Sequence, residues 1–96
     1  PSGAITDVRN VLRVNNNNGY EAVYISGNEP TINLNNADSD QRVLTINTDY
    51  NEAHITAPNG NLVLTSDNND VVLNANGSVY VNANQINATN NKYNKT

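Results

Sequence analysis

The sequence predicts an all-β fold assembled from one short repeated strand, and three observations predict it. Asparagine supplies 23 of the 96 residues. Its amide competes for backbone hydrogen bonds, which disfavours helix interiors and favours turns and left-handed positions. Aliphatic residues two positions apart recur along most of the chain, the spacing that sets both on one side of a β-strand. Turn chemistry separates these runs: Asn18-Gly19, Asn59-Gly60 and Asn76-Gly77, with Pro30 and Pro58 just outside strands.

The repeat is the strongest signal. Its unit is an aliphatic residue, any residue, a second aliphatic residue, then Asn, Ser or Thr. It reads LRVNN (12–16), VYISG (23–27), INLNN (32–36), LTINT (44–48), AHITA (53–57), LVLTS (62–66), VVLNA (71–75), VYVNA (79–83) and INATN (86–90). The second aliphatics are Val14, Ile25, Leu34, Ile46, Ile55, Leu64, Leu73 and Val81, with Ala88 a weakened last copy. Their spacings are 11, 9, 12, 9, 9, 9, 8 and 7. In every copy the next residue is Asn, Ser or Thr: Asn15, Ser26, Asn35, Asn47, Thr56, Thr65, Asn74, Asn82 and Thr89. Each unit is therefore expected to be a thin strand with one aliphatic pair facing inward. The intervening residues, Arg13, Tyr24, Asn33, Thr45, His54, Val63, Val72, Tyr80 and Asn87, suit an outward face.

In chain order, residues 1–11 form a lead-in segment. Ile5 and Val8 within it, with Leu12 just after it, have a heptad-like spacing that fits a short helix or coiled coil. Residues 12–90 form a repetitive β shaft, interrupted by longer loops at 16–22 (NNNGYEA) and 36–42 (NADSDQR). Residues 91–96 lack the pattern and form a tail or linker. The chain opens with Pro1 rather than Met, and we expect it to be a piece of a longer protein.

A strand with two inward aliphatics cannot bury them alone, so the core must come from stacking. The chain has 22 Leu, Ile and Val but no Phe, Trp or Met, and lacks the large side chains that usually dominate small cores. Two architectures fit: a single-chain solenoid, or three chains that wind about one axis or each supply one face of a three-sided prism. Three chains triple the aliphatics in each layer, so we expect an intertwined homotrimeric β-helix or triangular β-prism. Nine layers at ~4.8 Å would make a rod roughly 40 Å long. The polar residue after each pair would then bond a free backbone group or its own copy one layer away.

Composition also excludes function classes. A net charge of −4 argues against nucleic acid or an anionic membrane as partner. No apolar run approaches the roughly 20 residues that span a bilayer. The absence of cysteine removes disulfides, thiol catalysis and structural cysteine–zinc sites.

The stretch NLVLTSDNNDVVLNANGSVYVNANQINATN (61–90) resembles the shaft and stem regions of bacteriophage tail fibres and tail spikes. The resemblance covers roughly residues 10–90 and is one of style, without an invariant motif. It implies a trimeric β-helix or β-prism acting as a stiff, protease-resistant spacer. Such a spacer works on the virion tail, outside the cell, joined to other tail components, and carries a head toward the host surface. The His-x-His metal motif of some fibre needles is missing, which puts a bound axial metal in doubt.

Individual residues with chemical potential have plain readings beside the functional ones. His54 is the one histidine; three copies could share a metal in a trimer, but its repeat position faces outward. Asp67-Asn68-Asn69-Asp70 and Asp38-Ser39-Asp40 are oxygen-rich, yet the calcium-loop pattern with its Gly and Glu is absent, and turn roles explain them better. Glu21, Glu29 and Glu52 fall in connections, not in the positioned pair that glycoside hydrolysis needs. Tyr24 and Tyr80 could touch glycan weakly but read first as surface tyrosines. Asn76, Asn87 and Asn94 begin glycosylation sequons that an Asn-rich chain produces by chance. No catalytic, cofactor-binding or metal residue is assigned, and the chain is expected not to be an enzyme.

The expected function is thus a structural shaft segment in phage host attachment. Alternatives are a host-glycan or host-protein binding module using the loops 16–22 and 36–42, and the stalk of a bacterial adhesin or secretion spike. Leu64→Asp would place a charge in the shared core of every subunit, at a cost of several kcal/mol per chain. We expect a large fall in melting temperature; unchanged melting contradicts the inward assignment.

Overall fold

In the computed structural model, which describes residues 6–89, the first five repeat copies become five consecutive strands. They are β1 (Val11–Asn15), β2 (Glu21–Ser26), β3 (Thr31–Asn35), β4 (Arg42–Asp49) and β5 (Glu52–Thr56). All pair antiparallel with their sequence neighbours, in the order β1-β2-β3-β4-β5. The protein is all-β, a single open meander, and no helix occurs among the described residues.

The register explains the repeat. Leu12, Ile25, Ile32, Ile46 and Ile55 stand opposite one another across all five strands. Val14, Val23, Leu34 and Leu44 form a second row across four of them. Directly opposed residues share a face, so the aliphatic pairs of all five copies line one side of the sheet. A one-residue slip would turn each row to the other side, and the alternation therefore fixes the pairing. The other side carries Arg13, Tyr24, Asn33, Thr45 and Thr56 in a polar row.

Within the sheet, one intervening residue leaves this row and another keeps its place in it but is buried. His54 faces Asn47 instead of Thr45, because β5 pairs two residues out of step with its repeat and Ala53 stands opposite Thr48. Asn33, at the centre of the middle strand, is only 2% exposed. Its Oδ1 accepts a hydrogen bond from Thr45 Oγ1 at 2.9 Å, which answers the need of a buried amide for a partner.

Asparagine shapes the turns. Asn16 Oδ1 accepts from the backbone N–H groups of Asn18 and Tyr20, and Gly19 adopts φ +87 where the chain reverses, a conformation that suits glycine. Asn36 Oδ1 accepts from Asp38 N–H at 2.8 Å. Asn10 takes φ +73, and its carbonyl accepts from Gly27 N–H at 2.8 Å. The helical lead-in expected over 4–11 does not form within its described part: residues 6–9 have no regular structure and β1 begins at Val11.

Five of the nine expected strands are therefore present. The other four copies begin at Leu62, and residues 57–89 contain no strand residue and form no backbone–backbone hydrogen bond among the described residues. A strand exists only beside a hydrogen-bonded neighbour, and this region has none among the described residues. The chain divides into two units, Pro1–Val63 and Leu64–Thr96, and all described residues of the second are exposed. The expected tail at 91–96 lies outside the described residues.

The β4–β5 turn places Tyr50 at φ +54 with its side chain wholly exposed. A non-glycine residue in this left-handed region costs about 1–2 kcal/mol, and no packing offsets that here. Tyr50→Gly should raise stability by up to about 1 kcal/mol after glycine's entropy cost is deducted. Urea denaturation checks this, and a loss of stability contradicts it.

Candidate functional site

The largest chemical feature of the sheet is its aliphatic face. No hydrophobic residue is buried among those described. Ile25, Ile32, Leu34, Leu12 and Ile46 remain 37–40% exposed, Val14 47% and Ile55 60%. Full burial of such a side chain is worth roughly 1.5–3 kcal/mol, so each residue on this face retains on the order of 1 kcal/mol of unrealised burial. Ile25, Ile32, Ile46 and Ala53 also line a shallow apolar depression with Pro30 at its rim.

The same chemistry continues beyond the sheet. Leu62, Leu64, Val71, Leu73, Val79, Val81 and Ile86 are between 49% and 71% exposed. Leu64 itself is 64% exposed, so within one chain it lacks the inward environment that the repeat assigns to it.

The polar face holds most of the singled-out side chains. Arg13 Nε donates to Glu21 Oε1 at 2.8 Å, and the Arg13 guanidinium lies 5.5 Å from the Tyr24 ring centroid. Tyr24 is thus stacked by a cation, so its ring is no open platform for a sugar. His54, 43% exposed, approaches Glu52 Oε1 through Nε2 at 3.3 Å. Glu29 lies in the β2–β3 connection, where its carbonyl accepts from Thr31 Oγ1 at 2.7 Å. Glu21 and Glu52, expected in connections, are instead the first residues of β2 and β5, and Glu52 pairs with Asp49 across the β4–β5 turn.

The loops at 16–22 and 36–42 meet. They join β1 to β2 and β3 to β4, so both emerge at one end of the meander. Asn16 Nδ2 donates to Ala37 O at 2.7 Å and ties them together. Asp38 and Ser39 serve the turn: Ser39 Oγ accepts from Gln41 N–H at 3.2 Å. Asp67, Asn68, Asn69 and Asp70 are exposed, as are Tyr80 and the sequon residues Asn76 and Asn87. Asn94 lies outside the described residues.

Comparison with known proteins found no matching family model, no similar curated protein and no similar solved structure. The functional reading therefore rests on the residues themselves. Sequence reasoning missed the Asn33–Thr45 bond and the pairing of Asp49 with Glu52. The signal for Asp49 was present: Asp49-Tyr50-Asn51-Glu52 separates two alternating runs, and a two-residue turn there sets Asp49 opposite Glu52.

Proposed function

We propose that the chain is a segment of a rigid homotrimeric shaft, an intertwined β-helix or triangular β-prism, that acts as a spacer in the host-attachment apparatus of a phage tail. The observation that carries this reading is the aliphatic face of the meander, nine Leu, Ile and Val side chains in two rows with none of them buried. Three copies, each turning that face inward, would enclose a three-sided core without demanding any different sequence. Five strands at ~4.8 Å would then extend along the axis for roughly 19 Å.

The region 62–83 supports the same reading from the backbone side. Its three repeat copies keep the aliphatic pairs yet have no ladder partner among the described residues. Buried peptide groups require partners, and neighbouring subunits would supply them while covering the exposed leucines and valines. A body built this way acts by stiffness: it holds a head at a fixed distance from the tail and performs no catalysis. Its partners are two further copies, other tail components, and a host glycan or protein reached through the head.

A second reading, a binding module on the same scaffold, is favoured by the joined loops at 16–22 and 36–42, bridged from Asn16 to Ala37. Host glycan or protein would be recognised at that end of the sheet.

Light scattering at micromolar concentration tests the assembly. The expected mass is three times the 10.4 kDa of one chain; a clean monomer peak rejects the trimer.

A further inference from the structure

The β4–β5 turn gathers three metal-ligand side chains on the polar face. One ligand atom each from Asp49, Glu52 and His54 lies within 4.8 Å of the others. Among the described residues this is the one such grouping of histidine, aspartate and glutamate. It was not the grouping anticipated for His54, which required three subunits.

The backbone, and not a mobile loop, sets this arrangement. Asp49 ends β4 and pairs directly with Glu52, the first residue of β5, and opposed residues project to one side. Glu52 and His54 are two apart on a strand, so they also share that side. Between the strands only Tyr50 and Asn51 form the turn, leaving little freedom for the register to slide. The His54–Glu52 spacing fits a shared ion, and Asp49 comes within 4.8 Å of both. Two ligands bonded at about 2.0–2.2 Å to one tetrahedral or octahedral metal lie about 3–3.5 Å apart, and His54 Nε2 is 3.3 Å from Glu52 Oε1.

We propose that Asp49, Glu52 and His54 bind one divalent transition cation of the Zn²⁺, Co²⁺ or Ni²⁺ class in each chain, with water completing the coordination. The imidazole decides the class. Carboxylate oxygens alone suit Mg²⁺ or Ca²⁺, whereas an imidazole nitrogen shifts the preference to borderline transition ions. The two carboxylates balance the charge of the ion. The site is complete within one chain and lies opposite the aliphatic rows, so it stands independently of the assembly proposed above.

Titrating the intact chain with zinc sulfate tests this, with calorimetry for stoichiometry and the His54 ring resonances as the local probe. The chain has one histidine, so every imidazole signal reports this position. We expect saturation at one Zn²⁺ per chain with displaced His54 signals, and no such displacement by equal Mg²⁺. His54→Gln should abolish binding, while Asp49→Asn and Glu52→Gln should each weaken it about tenfold or more. All three positions lie at the surface of the turn, and circular dichroism verifies that each variant keeps its β content. Three results overturn the proposal: His54 signals unmoved by a large excess of Zn²⁺, undiminished binding by His54→Gln, or one ion per three chains with no dependence on Asp49 and Glu52. The last would indicate three imidazoles meeting on an axis.

Discussion

Covering aliphatic surface is the constraint on which everything else in this protein depends. The chain spends its hydrophobic residues in pairs, one pair per strand, and arranges them so that a whole sheet face is apolar. A single sheet has nothing to close that face against. Sheets usually solve this with a second layer, a helix or closure into a barrel. None of these occurs in the five-strand unit. Side chains as modest as Val and Ile are enough for a fold only when layers from several sources meet, and that is why the proposed shaft is an assembly property.

Asparagine has two physically distinct jobs in such a chain. In the connections, Asn16 and Asn36 fold their own backbone by accepting N–H groups two or four residues ahead, replacing water as the partner of turn amides. Within the sheet, Asn33 and Asn35 act across strands. Asn33 accepts from Thr45, while Asn35 Nδ2 donates to the Glu21 carbonyl at 2.9 Å. The Oδ1 of Asn35 is buried without a partner, a cost that a neighbouring donor in an assembly would remove. A high asparagine content is therefore not merely tolerance of turns.

Much of the sheet was legible in the sequence because the signal had period two. The pairs Leu12 and Val14, Val23 and Ile25, Ile32 and Leu34, Leu44 and Ile46 all lie on one side of the sheet, as the spacing requires. The direction of pairing was not legible. A repeat read as a stack of like strands gives no indication that consecutive copies run antiparallel, since that depends on turn length. Asn33 could not be read as buried, because burial at the centre of a sheet depends on how many strands flank it. The grouping of Asp49, Glu52 and His54 was legible only through the turn: Asp49 and Glu52 become neighbours once Tyr50-Asn51 is read as a two-residue turn between alternating runs. The copies within 62–83 carry the repeat as clearly as the first five, yet form no ladder among the described residues. Periodicity specifies which residues want a neighbour, not which chain provides it.

Amide hydrogen exchange across residues 62–81, followed as a function of protein concentration, tests the central claim most directly. If these copies are strands completed by other subunits, their amides exchange slowly in concentrated solution and become fast on dilution. Exchange at the rate of an unstructured chain, at concentrations where the amides of β2 to β4 are well protected, would contradict the account.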